Sequence, residues 1–266
     1  MLKRRIIPRL DIRDGRVVKG VHFRGMRDPE DAVEAARMYD RQGADELCLI
    51  NVSDTEDGRR HFSDVVRRVA PQVFVPITAG GGVRREKDVR LLLQGGADKV
   101  IVNSAVVSSP ALIARLSHAF GRQSIVVGVD ARRMDPVVEG RAADYEVVVH
   151  GRSRSTGLDV VWWCEQVDQL GAGEILLTSV DAEETKSGYD VEITRAVARA
   201  VGIPVIASGG LSNLDHLLGG LAVGQGEADA VLGAAIFHFG LYTIEQAKEF
   251  LHERGVPVRR LPSRAA

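Results

Sequence analysis

Residues Gly43–Leu49 read GADELCL, and residues Gly171–Leu177 repeat them as GAGEILL 128 positions later. A glycine cluster repeats at the same offset, because Gly80–Gly82 corresponds to Ser208–Gly210 and each cluster follows a proline by four positions. Repeats in the same order and at the same offset are hard to attribute to chance similarity between strands. They predict two related halves within one chain.

Short apolar runs alternate with stretches of helical periodicity around these repeats. The predicted strands are Ile6–Leu10, Glu46–Val52, Val73–Ala79, Lys99–Val102, Ser124–Val129, Glu174–Ser179, Pro204–Ser208 and Ala230–Leu232. The predicted helices include Asp31–Gln42, Glu86–Gln94, Pro110–Ala119, Val160–Leu170, Val191–Val201 and Ile244–Arg254. Such alternation is typical of parallel strands joined by right-handed crossovers. We predict an α/β fold, a single (β/α)8 TIM barrel over residues 1–266 with half-barrel repeats of about 1–122 and 123–255. The run Tyr145–His150 is predicted to be an arm in the loop after the fifth strand.

Composition argues against several classes of protein. The chain has 266 residues, 45% of them hydrophobic, which is enough to bury one large core. Its 35 basic and 36 acidic residues argue against nucleic acid or an anionic membrane as the main partner. No apolar run approaches the roughly 20 residues of a membrane span, and the start Met1–Pro8 lacks the apolar segment of a signal peptide. Cys48 and Cys164 adjoin apolar runs, so we expect buried free thiols and a cytoplasmic location. No ligand spacing suggests a metal, and no cofactor is expected.

Two aspartates stand where the catalytic residues of a barrel are expected. Asp11 ends the first predicted strand and Asp130 ends the fifth, so they face each other across the mouth. Opposed carboxylates suit general acid–base chemistry, because one donates a proton to a substrate while the other removes one. The alternative is that each aspartate only caps the turn or helix that follows it.

Glycine-rich turns predict two phosphate sites at the same mouth. The backbone N–H groups of such turns approach anions closely, and two sites fit a long substrate with a phosphate at each end. The expected binding residues are Gly81, Gly82, Asn103 and Ser104 in the first half, and Thr178, Ser208, Gly209, Gly210, Ala234 and Ala235 in the second. Glycine turns without a ligand are the alternative. The basic segment Gly151–Gly157 is expected to be a flexible loop at the mouth, either in contact with phosphate or solvated.

Charged residues are predicted at the opposite end of the barrel. Every second residue of a strand faces the same side, so Arg5 shares a face with Asp11 and lies about 20 Å below it. The same phase on the other strands predicts a floor ring of four charges, formed by Arg5, Glu46, Lys99 and Glu174. Buried charges need partners. The floor ring is therefore either a salt-bridge plug or a gate for a small polar molecule.

Several motifs along the chain match one enzyme family. They are Lys3–Gly20, Gly80–Gly82, Ala97–Val100, Val129–Ala131, Gly171–Asp181, Thr185–Asp190, Ala207–Gly210 and Phe237–Phe239. With these motifs the chain resembles, over essentially its whole length, the cyclase subunit of imidazole glycerol phosphate synthase. Related isomerase barrels of histidine and tryptophan biosynthesis share the fold and the phosphate sites, but not the four charges of the floor ring.

The resemblance implies a lyase in a glutamine amidotransferase complex of histidine biosynthesis. A glutaminase subunit would dock as a heterodimer partner on the N-terminal face of the barrel, where Asp98 matches an interface residue. Ammonia would pass the floor ring and rise past Thr78 to the mouth. There it would condense with the ketose carbonyl of a phosphoribulosyl-formimino aminoimidazole carboxamide ribotide. Asp11 and Asp130 would act as acid and base, giving imidazole glycerol phosphate and an aminoimidazole carboxamide ribotide. Lys19 matches a loop residue that helps to close over substrate.

Departures from the family pattern cluster around the mouth. Arg9 replaces a small cysteine, and Asn51 replaces an aspartate. Asp181–Thr185 reads DAEET in place of DRDGT, and Ala234-Ala235 stands in place of Ala-Ser. The small residue expected two positions before Asp130 is Gly128. The DAEET segment places Glu183 and Glu184 in the second-half phosphate site. Glu184 replaces a glycine there, so unless it turns outward its charge should weaken phosphate binding.

Arg9 is the departure nearest to the catalytic pair. We expect it one layer beneath Asp11, with Gly128 clearing volume for its side chain. Its guanidinium is expected to pair with Asp11 or Asp130, to bind an anionic substrate group, or to narrow the ammonia path.

Three functions fit these features. The first is the histidine-pathway cyclase with tolerated sequence drift. The second is a paralogous ammonia-dependent synthase that acts on a different phosphorylated substrate. The third is an inactive barrel that scaffolds a glutaminase, and the presence of both Asp11 and Asp130 argues against it.

Overall fold

Eight parallel strands close into a barrel in the computed structural model, which describes residues 2–18, 28, 30–53, 55–134 and 144–260, without the side chain of Glu184. Each strand pairs with the next, and the eighth returns to the first through the register Arg5↔Ala230. The barrel strands are β1 (Arg5–Arg13), β2 (Leu47–Asn51), β3 (Ile77–Gly80), β4 (Lys99–Val102), β5 (Ile125–Arg133), β6 (Glu174–Ser179), β7 (Val205–Ser208) and β8 (Ala230–Gly233). The predicted (β/α)8 TIM-barrel fold is confirmed.

A helix follows each strand and packs on the outside of the barrel. These helices are α1 (Ala32–Arg41), α2 (Glu56–Val69), α3 (Glu86–Gln94), α4 (Ala111–Phe120), α5 (Val160–Gln169), α6 (Val191–Ala200), α7 (Leu214–Leu221) and α8 (Ile244–Glu253). Many begin at a capping side chain, as α1 does where Asp31 accepts the Val33 N–H at 2.8 Å. Such a cap stabilises a helix by about 1 kcal/mol. Within the described ranges, no helix is long and apolar enough to cross a membrane.

Antiparallel additions lengthen two of the barrel strands. Arg16–Val17 pairs with the end of β1, and an arm strand, Tyr145–Val149, pairs with the end of β5. Both barrel strands therefore run past the ends that we predicted, because these partners satisfy backbone groups beyond the parallel neighbours. The prediction of a flexible loop at Gly151–Gly157 is wrong in its second half. Arg154–Asp159 forms a strand there, because it pairs with the arm strand.

The remaining short elements follow strands or helices directly. Short helices follow β4, β6 and β8, at Ser104–Ser108, Val180–Thr185 and Ala235–His238, and single 3-10 turns lie at Ala70–Gln72 and Arg122–Ser124. The three short helices lie at the carboxyl ends of their strands and therefore border the mouth.

An apolar block fills the middle of the barrel, because inward residues of alternate strands form shared layers. The block is made of Ile7, Cys48, Ile101, Val126, Leu176, Ile206, Ala230 and Leu232. The cavity that most of these side chains share with Glu46 and Thr78 has no room for a water molecule. Cys48 and Cys164 are buried free thiols, as predicted, and burial raises the pKa of each.

Aspartates at the floor cap the starts of neighbouring strands. Asp45 precedes β2 and accepts the Ile6 N–H of β1 at 2.9 Å. In the same way, Asp98 precedes β4 and accepts the Ile77 N–H of β3 at 2.8 Å. Asp229 precedes β8 and accepts the Val205 N–H of β7 at 3.1 Å. These carboxylates hold the floor of the barrel in register, since each satisfies a donor that the parallel ladder leaves unpaired.

Asp45 has further partners, so we expect its loss to destabilise the fold more than the loss of either other cap. Its carboxylate also accepts from Lys248 at 2.6 Å and from Arg259 at 2.9 Å, and the Lys248 side chain is 3% exposed. Asp45→Ala leaves a buried ammonium without its carboxylate, so we expect a loss of about 3–5 kcal/mol in the free energy of unfolding. Urea unfolding followed by circular dichroism measures it.

Asp98→Ala is the matched control, because it removes an exposed carboxylate that caps the equivalent strand. We expect this variant to lose only about 1 kcal/mol. Equal losses in the two variants would show that the buried Lys248 pair does not contribute to stability.

Candidate active site

The four predicted floor charges form a closed ring of ion pairs. Arg5 Nη1 lies 2.9 Å from Glu46 Oε2 and 3.1 Å from Glu174 Oε1. Lys99 Nζ lies 2.8 Å from Glu46 Oε2 and 3.0 Å from Glu174 Oε1. Two cations and two anions alternate, so the ring is neutral as a whole. Its role as a gate remains a prediction.

Burial makes the pairing within the floor ring necessary. The Glu46 side chain is 2% exposed and also accepts a hydrogen bond from the Thr78 hydroxyl above it. Burial acts to lower the pKa of Arg5, but Glu174 and Glu46 outweigh it, so that pKa is raised. The ring and the apolar block together close the lower interior, and a small molecule passes only if these side chains move.

Asp98 lies on the exposed rim of the same floor. One of its carboxylate oxygens caps β3, which is a structural reason for an aspartate at this position that the sequence did not reveal. Its part in a partner interface remains a prediction.

At the mouth, Asp130 lies within β5 opposite Thr178 of β6, and its side chain is 17% exposed. Asn103 Nδ2 donates to Asp130 Oδ2 at 2.9 Å, and Arg152 Nε lies 3.8 Å from Oδ1. Burial raises the pKa of Asp130, although Arg152 and the Asn103 amide act to lower it. A carboxyl with a raised pKa is suited to hold a proton and to act as a general acid.

Asp11 lies on β1 across the barrel from Asp130 and is paired with Arg9. Arg9 Nε donates to Asp11 Oδ1 at 2.7 Å, which is one of the alternatives that we expected for this guanidinium. Burial acts to lower the pKa of Arg9, but Asp11 outweighs it and that pKa is raised. The expectation that Gly128 clears volume for Arg9 finds no support, because the nearest atoms to a side chain there belong to Ile101 and Asn103.

Glu183 extends this contact toward Asp130. Its Oε1 lies 4.0 Å from Arg9 Nη1, and its Oε2 forms an ion pair with Arg152. The two arginines and three carboxylates therefore alternate across the mouth from Asp11 to Asp130. Sequence reasoning foresaw Arg9 beneath Asp11 but missed Arg152, for which the basic composition of Gly151–Gly157 was the only signal.

The second-half glycines line a cavity of about 140 Å³ beside this charge network. Its lining includes Ser208, Gly209, Gly210, Ala234 and Ala235, together with Arg9, Asp11, Glu183 and Lys186. Arg9 and Lys186 favour an anion here, whereas Glu183 opposes one. Lys186 was not among the predicted residues. Thr178 is paired with Ser208 on the neighbouring strand but does not line the cavity.

The first-half residues do not come together as predicted. Gly81 and Gly82 line a cavity of about 530 Å³ between α2 and α3. Asn103 and Ser104 lie instead at the mouth, where Asn103 bonds Asp130 and the Ser104 hydroxyl accepts the His150 N–H at 3.1 Å. The cavity is bordered by five basic side chains, Arg59, Arg60, Arg84, Arg85 and Lys87.

Packing alone requires some of these glycines. A side chain on Gly81 would lie 2.1 Å from the Asn51 carbonyl oxygen, and one on Gly210 would lie 2.0 Å from the Gly188 carbonyl oxygen. Both glycines also have positive φ. Their presence is therefore explained with or without a ligand. Phosphate binding at both turns remains a prediction.

Three further predictions concern Asn51, the residues Lys19 and Glu184, and metal binding. Asn51 is buried, its Oδ1 accepts the Ser53 N–H at 3.0 Å, and its Nδ2 finds no partner among the described residues. Lys19 and the side chain of Glu184 lie outside the described residues. No group of three metal-ligating side chains occurs in the described part of the chain.

The raised pKa of Asp130 predicts a stability effect that depends on pH. The folded state holds this proton more tightly than the unfolded chain, so stability falls as pH rises from the ordinary aspartate range through the raised pKa. Asp130→Asn removes the ionisable group, and we expect the variant to unfold at a higher temperature than the parent at a pH above the raised pKa. The difference should shrink as pH falls through the raised pKa into the ordinary aspartate range, as thermal unfolding at a series of pH values would measure. A constant or opposite difference would contradict the assignment.

A comparison with protein families finds a match that covers most of the chain. A family model described as histidine biosynthesis protein matches residues 5–243. The match runs from the floor arginine of β1 through all eight strands and every mouth residue named above. An enzyme of this family works at the mouth of a TIM barrel, where Asp11 and Asp130 lie. By the length of this match, the chain belongs to the histidine biosynthesis protein family.

Proposed function

We propose that this barrel is the ammonia-dependent cyclase of histidine biosynthesis, a lyase fed with ammonia by a glutaminase subunit on its floor. Its substrate would be the phosphoribulosyl-formimino aminoimidazole carboxamide ribotide. Its products would be imidazole glycerol phosphate and an aminoimidazole carboxamide ribotide. The floor ring of Arg5, Glu46, Lys99 and Glu174 is the observation that carries the proposal.

A closed ring of charges on the barrel axis costs free energy, because each charge must be withdrawn from water. Apolar residues of similar volume stabilise a core as well or better than a buried ion-pair cluster does. The ring lies at the end of the barrel interior opposite to the two aspartates, and Thr78 provides a hydroxyl just above it. Such a polar constriction suits a gate that admits small polar ammonia and excludes larger solutes.

Asp11 and Asp130 have different surroundings that suit different roles. Asp130 has a raised pKa and is oriented by the Asn103 amide, so it donates the proton when ammonia adds to a carbonyl and water leaves. Asp11 accepts a charge-assisted hydrogen bond from Arg9 that orients its carboxylate, so it removes protons during elimination and ring closure.

The charge network supports a second candidate, a paralogous synthase that acts on another phosphorylated substrate. Glu183 adds negative charge to the 140 Å³ cavity where the second phosphate would bind, and Arg9 occupies interior space beneath Asp11. Both changes lie at the mouth, where one end of the substrate would bind, and not at the floor ring, through which ammonia would enter.

Turnover of the phosphoribulosyl substrate with ammonium salt separates the two candidates. The histidine-pathway cyclase should form imidazole glycerol phosphate without any partner, since free ammonia enters from solution. Asp11→Asn and Asp130→Asn should each lower that rate by about 10²-fold or more. Glu192→Gln, at an exposed ion pair with Arg133, is the control that should keep the rate.

Two results would contradict the primary proposal. No product from well-folded protein would exclude the usual substrate and favour the paralogue. An ammonia-dependent activity that survives unchanged in Asp11→Asn would show that the carboxylate pair is not catalytic.

The gate itself predicts a split between two sources of ammonia. Lys99→Met keeps the volume of the side chain but breaks two of the ring's ion pairs, and the apolar tip obstructs a polar solute. With the glutaminase and glutamine, we expect at least about a tenfold loss of cyclase rate, near 1.4 kcal/mol. With ammonium salt, the rate should stay within about twofold of the parent, since that ammonia bypasses the floor.

Lys3→Met is the matched control for this experiment. It removes the same charge from the floor end of the chain without touching the ring, and it should affect neither rate. Equal losses with both ammonia sources in Lys99→Met would indicate a structural plug and not a gate.

A further inference from the structure

Five charged side chains form an alternating bridge across the mouth. Asp11 pairs with Arg9 at 2.7 Å, Arg9 approaches Glu183 at 4.0 Å, Glu183 pairs with Arg152, and Arg152 lies 3.8 Å from Asp130. The side chains of the two arginines are 20% and 28% exposed, so both are partly withdrawn from solvent. The bridge therefore runs through the space in which substrate must bind between the two aspartates.

The central member of the bridge, Glu183, contacts both arginines. Glu183 presents one carboxylate oxygen, Oε1, to Arg9 and the other, Oε2, to Arg152. Two guanidinium groups thus face the two oxygens of one planar carboxylate. Guanidinium donors match carboxylates in geometry and charge. Glu183 is also the most exposed of the three, at 36%, and it lines the 140 Å³ cavity.

Arg152 is held in place at a conformational cost. Its φ is 73°, and His150 in the same turn has a φ of 54°, a region that residues other than glycine seldom adopt. Arg132 donates to the Arg152 carbonyl, and Ser104 accepts the His150 N–H. Strain maintained by several contacts is characteristic of positions that must aim a side chain at a site.

We propose that Arg9 and Arg152 form a carboxylate clamp between the catalytic aspartates, and that Glu183 occupies the clamp when substrate is absent. The substrate would be a phosphorylated molecule with a carboxylate at the end that reaches the mouth, and this carboxylate would displace Glu183. The inference rests on the second candidate of the proposed function, a paralogous synthase whose phosphate-bearing substrate binds at this mouth, because the phosphoribulosyl substrate of the first candidate carries no carboxylate.

The charges around the clamp favour a monoanion. With Asp130 protonated, as its proposed acid role requires, Asp11 balances one of the two arginines, so the clamp without Glu183 carries a single positive charge. A substrate carboxylate that replaces Glu183 leaves the local charge as it is now. A phosphate dianion would add a further negative charge between Asp11 and Asp130, where the partly buried surroundings strengthen repulsion. The glycine turn at Gly209–Gly210 is the place for the phosphate instead.

A matched pair of probes tests the clamp. 3-Phosphoglycerate and glycerol 3-phosphate share a phosphate and a carbon chain. The first ends in a carboxylate, and the second ends in a hydroxymethyl group. Isothermal titration calorimetry gives the ratio of their dissociation constants on each protein. Glu183→Gln removes the internal competitor, so we expect the preference for 3-phosphoglycerate to increase about tenfold over the parent. Arg9→Gln or Arg152→Gln, each combined with Glu183→Gln, should abolish the gain.

Glu192→Gln is the matched control, because it removes one negative charge from an exposed ion pair outside the clamp. Its ratio should equal that of the parent, and circular dichroism confirms that each variant is folded. A ratio that does not change in Glu183→Gln would overturn the proposal, as would a gain that persists without Arg9 and Arg152. The assay uses neither ammonia nor glutaminase, so a failure of the proposed cyclase activity leaves this ratio unaffected and is detected separately by turnover.

Discussion

Closure of eight parallel strands into one barrel is the constraint on which every other feature of this protein depends. Closure forces alternate residues of all strands into a single interior, and the register between neighbours decides which of them share a layer. A charged residue pointing inward must then find its partners on other strands, because the packed apolar side chains around it offer none. The floor ring meets this requirement with four ion pairs from β1, β4, β6 and the residue before β2.

The interior is polar at both ends and apolar between them. The floor ring lies below the apolar block around Ile7 and Leu176, and the Arg9–Asp11 pair lies above it. This order separates a neutral ring of paired charges at the floor from the ionisable groups at the mouth. The floor ring is neutral as a whole and the charges at the mouth alternate in sign, so each end is stabilised by pairing and is sensitive to loss of a single member.

The arm after β5 shows how an addition to the barrel changes its site. Pairing between Tyr145–Val149 and Arg154–Asp159 makes a hairpin whose turn brings Arg152 over the mouth. Arg152 then meets Asp130 and Glu183, which belong to different βα units. Departures from the family pattern at Arg9 and Glu183 are thus parts of one connected network and not isolated changes. Both lie at the mouth, away from the floor ring.

The sequence by itself determined the barrel, the inward positions of Arg5, Arg9 and Asp11, and the members of the floor ring, because strand alternation and period-two phase are local patterns that closure converts into layers. It did not determine the lengths of β1 and β5, the separation of Gly81 from Asn103, or the place of Glu183 between two arginines. Only the tertiary structure decided these. They join residues whose relative positions depend on loop paths and hairpin pairing, and no local periodicity encodes such distances.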